Sequence, residues 1–187
     1  MKQFNNSIMR GASGALGDEL VFRQRAGKTV ISKPAAWRPD NPTEDQADVR
    51  NRFQLASRYA KIVLSNAALK AAYKKAADPG VSAFNKAIAD YFTPPVIREA
   101  DAANYSGSPG STIRIHATDD FQVQSVYVTI TNAAGNVAEE GQAVPVPGEK
   151  DIWLYTATAS NADPTGGMVK VQVNDLPGNA TVQELAL

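Results

Sequence analysis

The sequence predicts an α+β chain: an N-terminal β-hairpin with three short helices, then an all-β sandwich. Three observations lead there. Charge is divided unevenly: 16 of the 19 Lys and Arg lie in residues 1–100 and 3 after, against 9 of the 19 Asp and Glu before and 10 after. The halves therefore carry +7 and −7, although the whole is neutral. Thr93-Pro94-Pro95 forbids a helix to continue, and across it the apolar spacing changes from three and four to two. Two modules follow, residues 1–93 and 96–187, each near the size at which a domain needs help from a neighbour or from oligomerisation.

Leu20 to Arg25 and Lys28 to Lys33 read as two strands joined across Ala26-Gly27, with Gly11, Gly14 and Gly17 marking a flexible start. Glycine gives the turn its positive φ, and Val21, Phe22, Val30 and Ile31 favour strands. Two strands do not persist alone in water, so this ribbon must rest on helices or meet another chain. Val21, Phe22, Arg23, Arg25 and Lys28 are its candidate docking residues, with Trp37 of the Pro-rich connection as a wedge against the helices or a neighbouring subunit. Gly27-Lys28-Thr29 does not end a phosphate-binding loop, because Phe22 stands where that loop needs its first glycine.

Thr43-Glu44-Asp45-Gln46 is a capping box that starts a helix. Val49, Phe53, Ala56, Ala60 and Val63 then give one apolar face over about five turns. Arg50, Arg52, Arg58 and Lys61 flank that face. Early acids and later bases suit the helix dipole, which explains these charges without a nucleic acid. Leu69, Ala72, Tyr73 and Ala76 mark a second helix, and Phe84, Ala87, Ile88 and Tyr91 a third that Ser82 caps.

Gly14-Ala15-Leu16-Gly17-Asp18-Glu19-Leu20-Val21-Phe22-Arg23, Gly27-Lys28-Thr29-Val30, Asn41-Pro42-Thr43-Glu44 and Arg52-Phe53 together resemble a pattern of uncharacterised proteins of Bacteroidota and their phages. Asn41-Pro42-Thr43 departs from that pattern by lacking the residue between proline and threonine. The resemblance covers residues 11–92, carries no catalytic residue, and implies a particle component.

After the prolines, Ile113 and Ile115, then Val126, Val128 and Ile130, then Ile152 and Leu154, then Val169, Val171 and Val173 alternate as half-buried strands between Gly- and Pro-rich turns. About seven strands fit a small sandwich. Asp119-Asp120-Phe121-Gln122-Val123, Val126-Tyr127-Val128-Thr129-Ile130 and Ala134-Gly135-Asn136-Val137 resemble bacterial immunoglobulin-like repeats of cell surfaces and phage structural proteins. This resemblance implies an immunoglobulin-like fold for the second module and leaves its task open among adhesion, spacing, sugar binding and decoration.

Chemistry is sparsely represented. Without cysteine there are no disulfides, thiolates or sulfur ligands. His116 is the one histidine, and it has no second to complete a catalytic or zinc set. Asp119 and Asp120 could join Asp101, Asp151 or Asp175 in an oxygen cage for calcium, against which stands their ordinary use as turn residues. Trp153 and Tyr155 share one strand face, either as core or as a platform for a sugar ring. No nucleophile and base, and no paired carboxylates, stand at a telling spacing.

The expectation is a non-enzymatic structural protein with no cofactor and no resident metal. Its hairpin-helix module docks into a homo-oligomer or onto other particle proteins, and its sandwich projects or packs outward. Opposite charge on the modules favours head-to-tail contact between copies, which gives rings or filaments according to whether the rotation closes. Nucleic-acid binding through the basic residues and carbohydrate binding through Trp153 and Tyr155 are the alternatives. Met1–Arg10 lacks the apolar stretch of a secretory signal, and no run of apolar residues spans a membrane. Synthesis in the cytoplasm followed by incorporation into a virion or other particle is the address expected.

Overall fold

The computed structural model describes residues 11–187 apart from Ala26 and Arg38, so the start read at Met1–Arg10 and Ala26 of the hairpin turn lie outside the described residues. Among the described residues, three helices and eleven strands in three antiparallel sheets make the chain α+β. Contacts divide it into two units, Met1–Val49 and Arg50–Leu187.

In the first unit β1 (Gly14–Leu16), β2 (Leu20–Arg25) and β3 (Lys28–Ser32) form a sheet in that order. The expected hairpin is β2 and β3, turned at Gly27 with φ of 74°. The start expected to be flexible contributes a third strand instead. Gly17, at φ 53°, reverses the chain so that Gly14, Ala15 and Leu16 pair with Phe22, Val21 and Leu20.

α1 (Glu44–Val63) opens on the capping box: Gln46 N donates to Thr43 Oγ1 at 3.4 Å, and Thr43 N donates to Gln46 Oε1 at 3.2 Å. At 20 residues it is not short. Its apolar stripe is buried at Ala56, Ala60 and Val63, while Val49 and Phe53 on the same stripe are 64% and 53% exposed. Helix α2 (Ala67–Ala76) is capped by Asn66, which accepts from Ala68 N and Leu69 N, and α3 (Ala83–Phe92) by Ser82, which accepts from Asn85 N.

Eight further strands form two four-stranded sheets, one more strand than expected because β8 is a two-residue piece. One sheet runs β4 (Val96–Asp101), β5 (Thr112–Thr118), β9 (Ile152–Thr156), β8 (Val144–Pro145). The other runs β11 (Ala180–Ala186), β10 (Met168–Asp175), β6 (Val123–Thr131), β7 (Val137–Gln142). Their inner faces bury Ile113, Ile115, Val126, Val128, Ile130, Val169, Val171 and Val173 completely, the period-two rows read from the sequence.

Thr93-Pro94-Pro95 lies inside the second unit. The helices close a core of their own around Ala60, Tyr73 and Ala87, and Phe121 and Leu176 from the sandwich turns pack against it. Phe121 stacks on Tyr73 with ring centroids 3.8 Å apart. Lys86 of α3 pairs with Asp120 at 2.8 Å, and Thr181 Oγ1 donates to the Pro95 carbonyl. No helix among the described residues is long and apolar enough to cross a membrane.

Candidate docking surface

Strand pairing sorts the meander residues into two faces, because directly opposed residues project to the same side. Phe22 lies between Gly14 and Ile31, Leu20 opposite Leu16, and Gln24 opposite Thr29. One face therefore gathers Leu16, Leu20, Phe22 and Ile31. Its far end is tied down by Gln24 Nε2, which donates to Thr29 Oγ1 and to the Ala12 carbonyl, both at 2.8 Å. The other face sets Val21 between Ala15 and Ser32, Arg23 opposite Val30, and Arg25 opposite Lys28.

The candidate docking residues thus divide. Phe22 belongs to an apolar face, whereas Val21, Arg23, Arg25 and Lys28 belong to a cationic one. Neither face has a core beneath it: among the described residues of 11–49 none is buried. Leu16 is 62% exposed and Ile31 49%. Covering side chains so exposed is worth about 1–2 kcal/mol each. Trp37 is 87% exposed, so it does not wedge against the helices of its own chain.

The helical cations do not form one stripe. At 100° per residue Arg50, Arg58 and Lys61 fall on one side of α1 and Arg52 on another, where its guanidinium sits 5.6 Å from the centre of the Phe92 ring. His116 is half-buried, opposite Glu99 and Ile152.

Trp153 and Tyr155 are paired with Ile115 and Ile113 and so face the sandwich core. Tyr155 is buried and Trp153 packs against the same cluster, so of the two readings of this strand face the core holds and the sugar platform does not. Tyr155 Oη donates to Glu139 Oε1 at 2.5 Å. Glu139 is itself buried and takes two backbone N–H bonds, from Thr158 at 2.6 Å and Ala159 at 3.0 Å. Burial pushes this carboxyl up, but the hydrogen bonds outweigh burial and hold it below the usual carboxylate range.

The acids of the calcium expectation are held otherwise. Asp119 Oδ2 accepts from Phe121 N and Gln122 N, and Asp120 holds Lys86. Asp175 accepts from Gly178 N, Asn179 N and Asn179 Nδ2. Among the described residues no group of three or more acids or histidines is arranged for a metal ion.

Sequence reading passed over Asp90, which is fully buried in α3. Tyr73 Oη donates to Asp90 Oδ2 at 2.6 Å and lies 2.8 Å from Tyr59 Oη. Tyr73 has one hydrogen, given to Asp90, so Tyr59 donates to Tyr73. Asp90 Oδ1 and Asp119 Oδ1 are both buried without a donor, and Asp119 is near enough to push the Asp90 carboxyl up. Burial pushes the Asp90 carboxyl up to about 7 against the pull of the Tyr73 hydrogen bond, and the Asp119 and Asp175 carboxylates add to the rise.

No family model matches this chain, and no curated protein matches it. Among solved structures, CopC from Methylosinus trichosporium OB3b is similar over 48% of this chain and 87% of its own, at 15% identity and a TM-score of 0.36. So loose a likeness carries no argument.

Proposed function

We propose that this chain is a non-enzymatic assembly protein whose meander docks face to face with the meander of a second copy. The observation that carries the proposal is the apolar face of Leu16, Leu20, Phe22 and Ile31 in a unit with no buried residue among those described. Two such faces stacked supply the core that a single three-stranded sheet lacks. The contact is isologous and closes as a dimer. A structural rather than catalytic role is supported by the buried acids, since Asp90, Glu139 and Asp175 accept hydrogen bonds from protein donors.

The strand order supports reading the sandwich as immunoglobulin-like. β4, β5, β9 and β8 take the places A, B, E and D, while β11, β10, β6 and β7 take G, F, C and C′. Such a module serves as a spacer that carries the meander, and incorporation into a virion or similar particle fits that role. Sedimentation of the full chain tests the docking. At high salt, where charge-led contacts are screened, wild type is expected to dimerise with rising concentration, and Phe22→Ser with Ile31→Ser to weaken dimerisation on the order of 100-fold. A wild type that stays monomeric at the highest concentration reached, or a double variant that associates as wild type does, overturns the proposal.

A second reading rests on Val21, Arg23, Arg25 and Lys28 sharing the opposite face, which stays open in that dimer and suits a phosphate backbone. Filter binding at low salt is expected to retain DNA or RNA, with retention falling as salt rises and in Arg23→Ala/Arg25→Ala. No retention at low salt removes this reading and leaves the dimer untouched.

A further inference from the structure

A groove of about 830 Å³ lies between the end of α1, α2 and the start of α3. Leu64, Ala67, Ala71, Ala83 and Phe84 make its floor and walls, and Lys61, Lys70 and Lys74 stand around it. No acid lines it, and among the described residues none of these lysines meets a carboxylate at ion-pair distance. Lys70 and Lys74 are one helical turn apart, so their charges rise as a ladder along α2.

The first turns of α1 have the opposite character. None of residues 44–55 is buried, and Val49 and Phe53 expose the stripe that Ala56 and Ala60 bury further on. Asp45 and Asp48 follow one flank of that stripe at 100° per residue, with Glu44 further round, opposite Phe53. None of these acids meets a lysine or arginine at ion-pair distance among the described residues. Arg52, on the same flank, is held over the Phe92 ring. Asp45 and Asp48, three residues apart, match the spacing of about one turn between Lys70 and Lys74.

We propose that this groove receives the acidic, apolar first turns of α1 from a second copy of the chain. Val49 and Phe53 would lie on the groove floor, with Asp45 and Asp48 against Lys61, Lys70 and Lys74. The contact is heterologous, since each copy offers a helix start at one place and a groove at another. It therefore propagates into a ring or a filament, where the meander contact stops at two. It uses neither meander face, so the two contacts are separable.

The test uses the full chain carrying Phe22→Ser and Ile31→Ser, which removes the meander contact. This background is expected to sediment as species that grow with concentration and shrink as salt rises, because exposed ion pairs are screened. A helix variant, Val49→Ser/Phe53→Ser, and a groove variant, Lys61→Glu/Lys70→Glu/Lys74→Glu, are each expected to associate at least about 30-fold more weakly than the background. An equimolar mixture of the two retains one good helix and one good groove, and is expected to form a dimer that grows no further.

All five substituted residues are exposed, and circular dichroism checks that each variant keeps the background fold. If one does not, Asp45→Asn/Asp48→Asn and Lys70→Met/Lys74→Met replace the pair. Failure of the mixture to dimerise, or growth of either variant alone as in the background, overturns the inference without touching the meander dimer. Loss of the meander dimer in wild type likewise leaves this contact to stand or fall by the mixture.

Discussion

Asp90→Asn is expected to make the protein more stable at pH 8 and nearly indifferent to pH between 5 and 8. The native Asp90 carboxyl keeps its proton up to about pH 7 because burial disfavours its charged form. In the unfolded chain the same group releases its proton near the ordinary 3.8. A carboxyl raised on folding contributes fully below that ordinary value and loses its contribution as pH climbs through the native one. Stability should therefore fall from about pH 4 to pH 7 and level off above. The difference amounts to at most about 4 kcal/mol.

An asparagine fits this site without titrating. Its Oδ1 can accept from Tyr73 Oη and its Nδ2 can donate to Asp119 Oδ1, the oxygen that is buried without a donor. Tyr59, Tyr73, Asp119 and Asp175 are the other titratable groups around it. Urea unfolding at pH 5, 6.5 and 8 reads the effect. Curves of variant and wild type that run parallel from pH 5 to 8 would show that folding does not hold a proton on Asp90.

Why Asp90 escaped a sequence reading, when the helix around it did not, is a matter of what patterns report. Spacings of three and four marked Phe84, Ala87, Ile88 and Tyr91 as inward, and Ala87 and Ile88 are buried. Asp90 lies three residues beyond Ala87 and in phase with Ala83, so its position implied burial although its chemistry implied the reverse. A polar residue in phase with an apolar stripe was the available signal. Caps are local, and Thr43, Asn66 and Ser82 act where adjacent residues place them.

Depth of coverage is not local. Val49 and Phe53 continue the pattern of Ala56 and Ala60, yet are exposed, because nothing in α1 itself records where the neighbouring helices end. The meander split Val21 from Phe22 for a similar reason. Strand residues alternate in any sheet, but which face is cationic emerged only when the register placed Lys28 opposite Arg25 and Ile31 opposite Phe22. Trp153 and Tyr155 were legible as sharing a face; their pairing with Ile115 and Ile113 decided that the face was the core.

Glu139 shows the strongest case of register overriding alternation, and its replacement is expected to cost about 2–3 kcal/mol at neutral pH. Val137 and Glu139 should point the same way in a regular strand. Instead the pairing shifts between Ile130 and Thr131, so Glu139 falls opposite Ile130 in the core while Val137 is 59% exposed. The buried carboxylate then holds the Tyr155 hydroxyl and the backbone of Thr158 and Ala159 beyond the end of β9.

Glu139→Gln keeps the shape and loses one acceptor. Either way round, its amide group turns N–H toward a donor, Ala159 N in one orientation and Thr158 N in the other. The carboxyl is held below its ordinary 4.5 on folding, so its contribution is full above that value and is lost as pH falls through the native one. The variant should thus melt roughly 5–10 °C below wild type at pH 7, with the gap narrowing as the solution is acidified below pH 4. Equal melting temperatures at pH 7, or a gap that widens in acid, would mean that the donors around Glu139 do not depend on its charge.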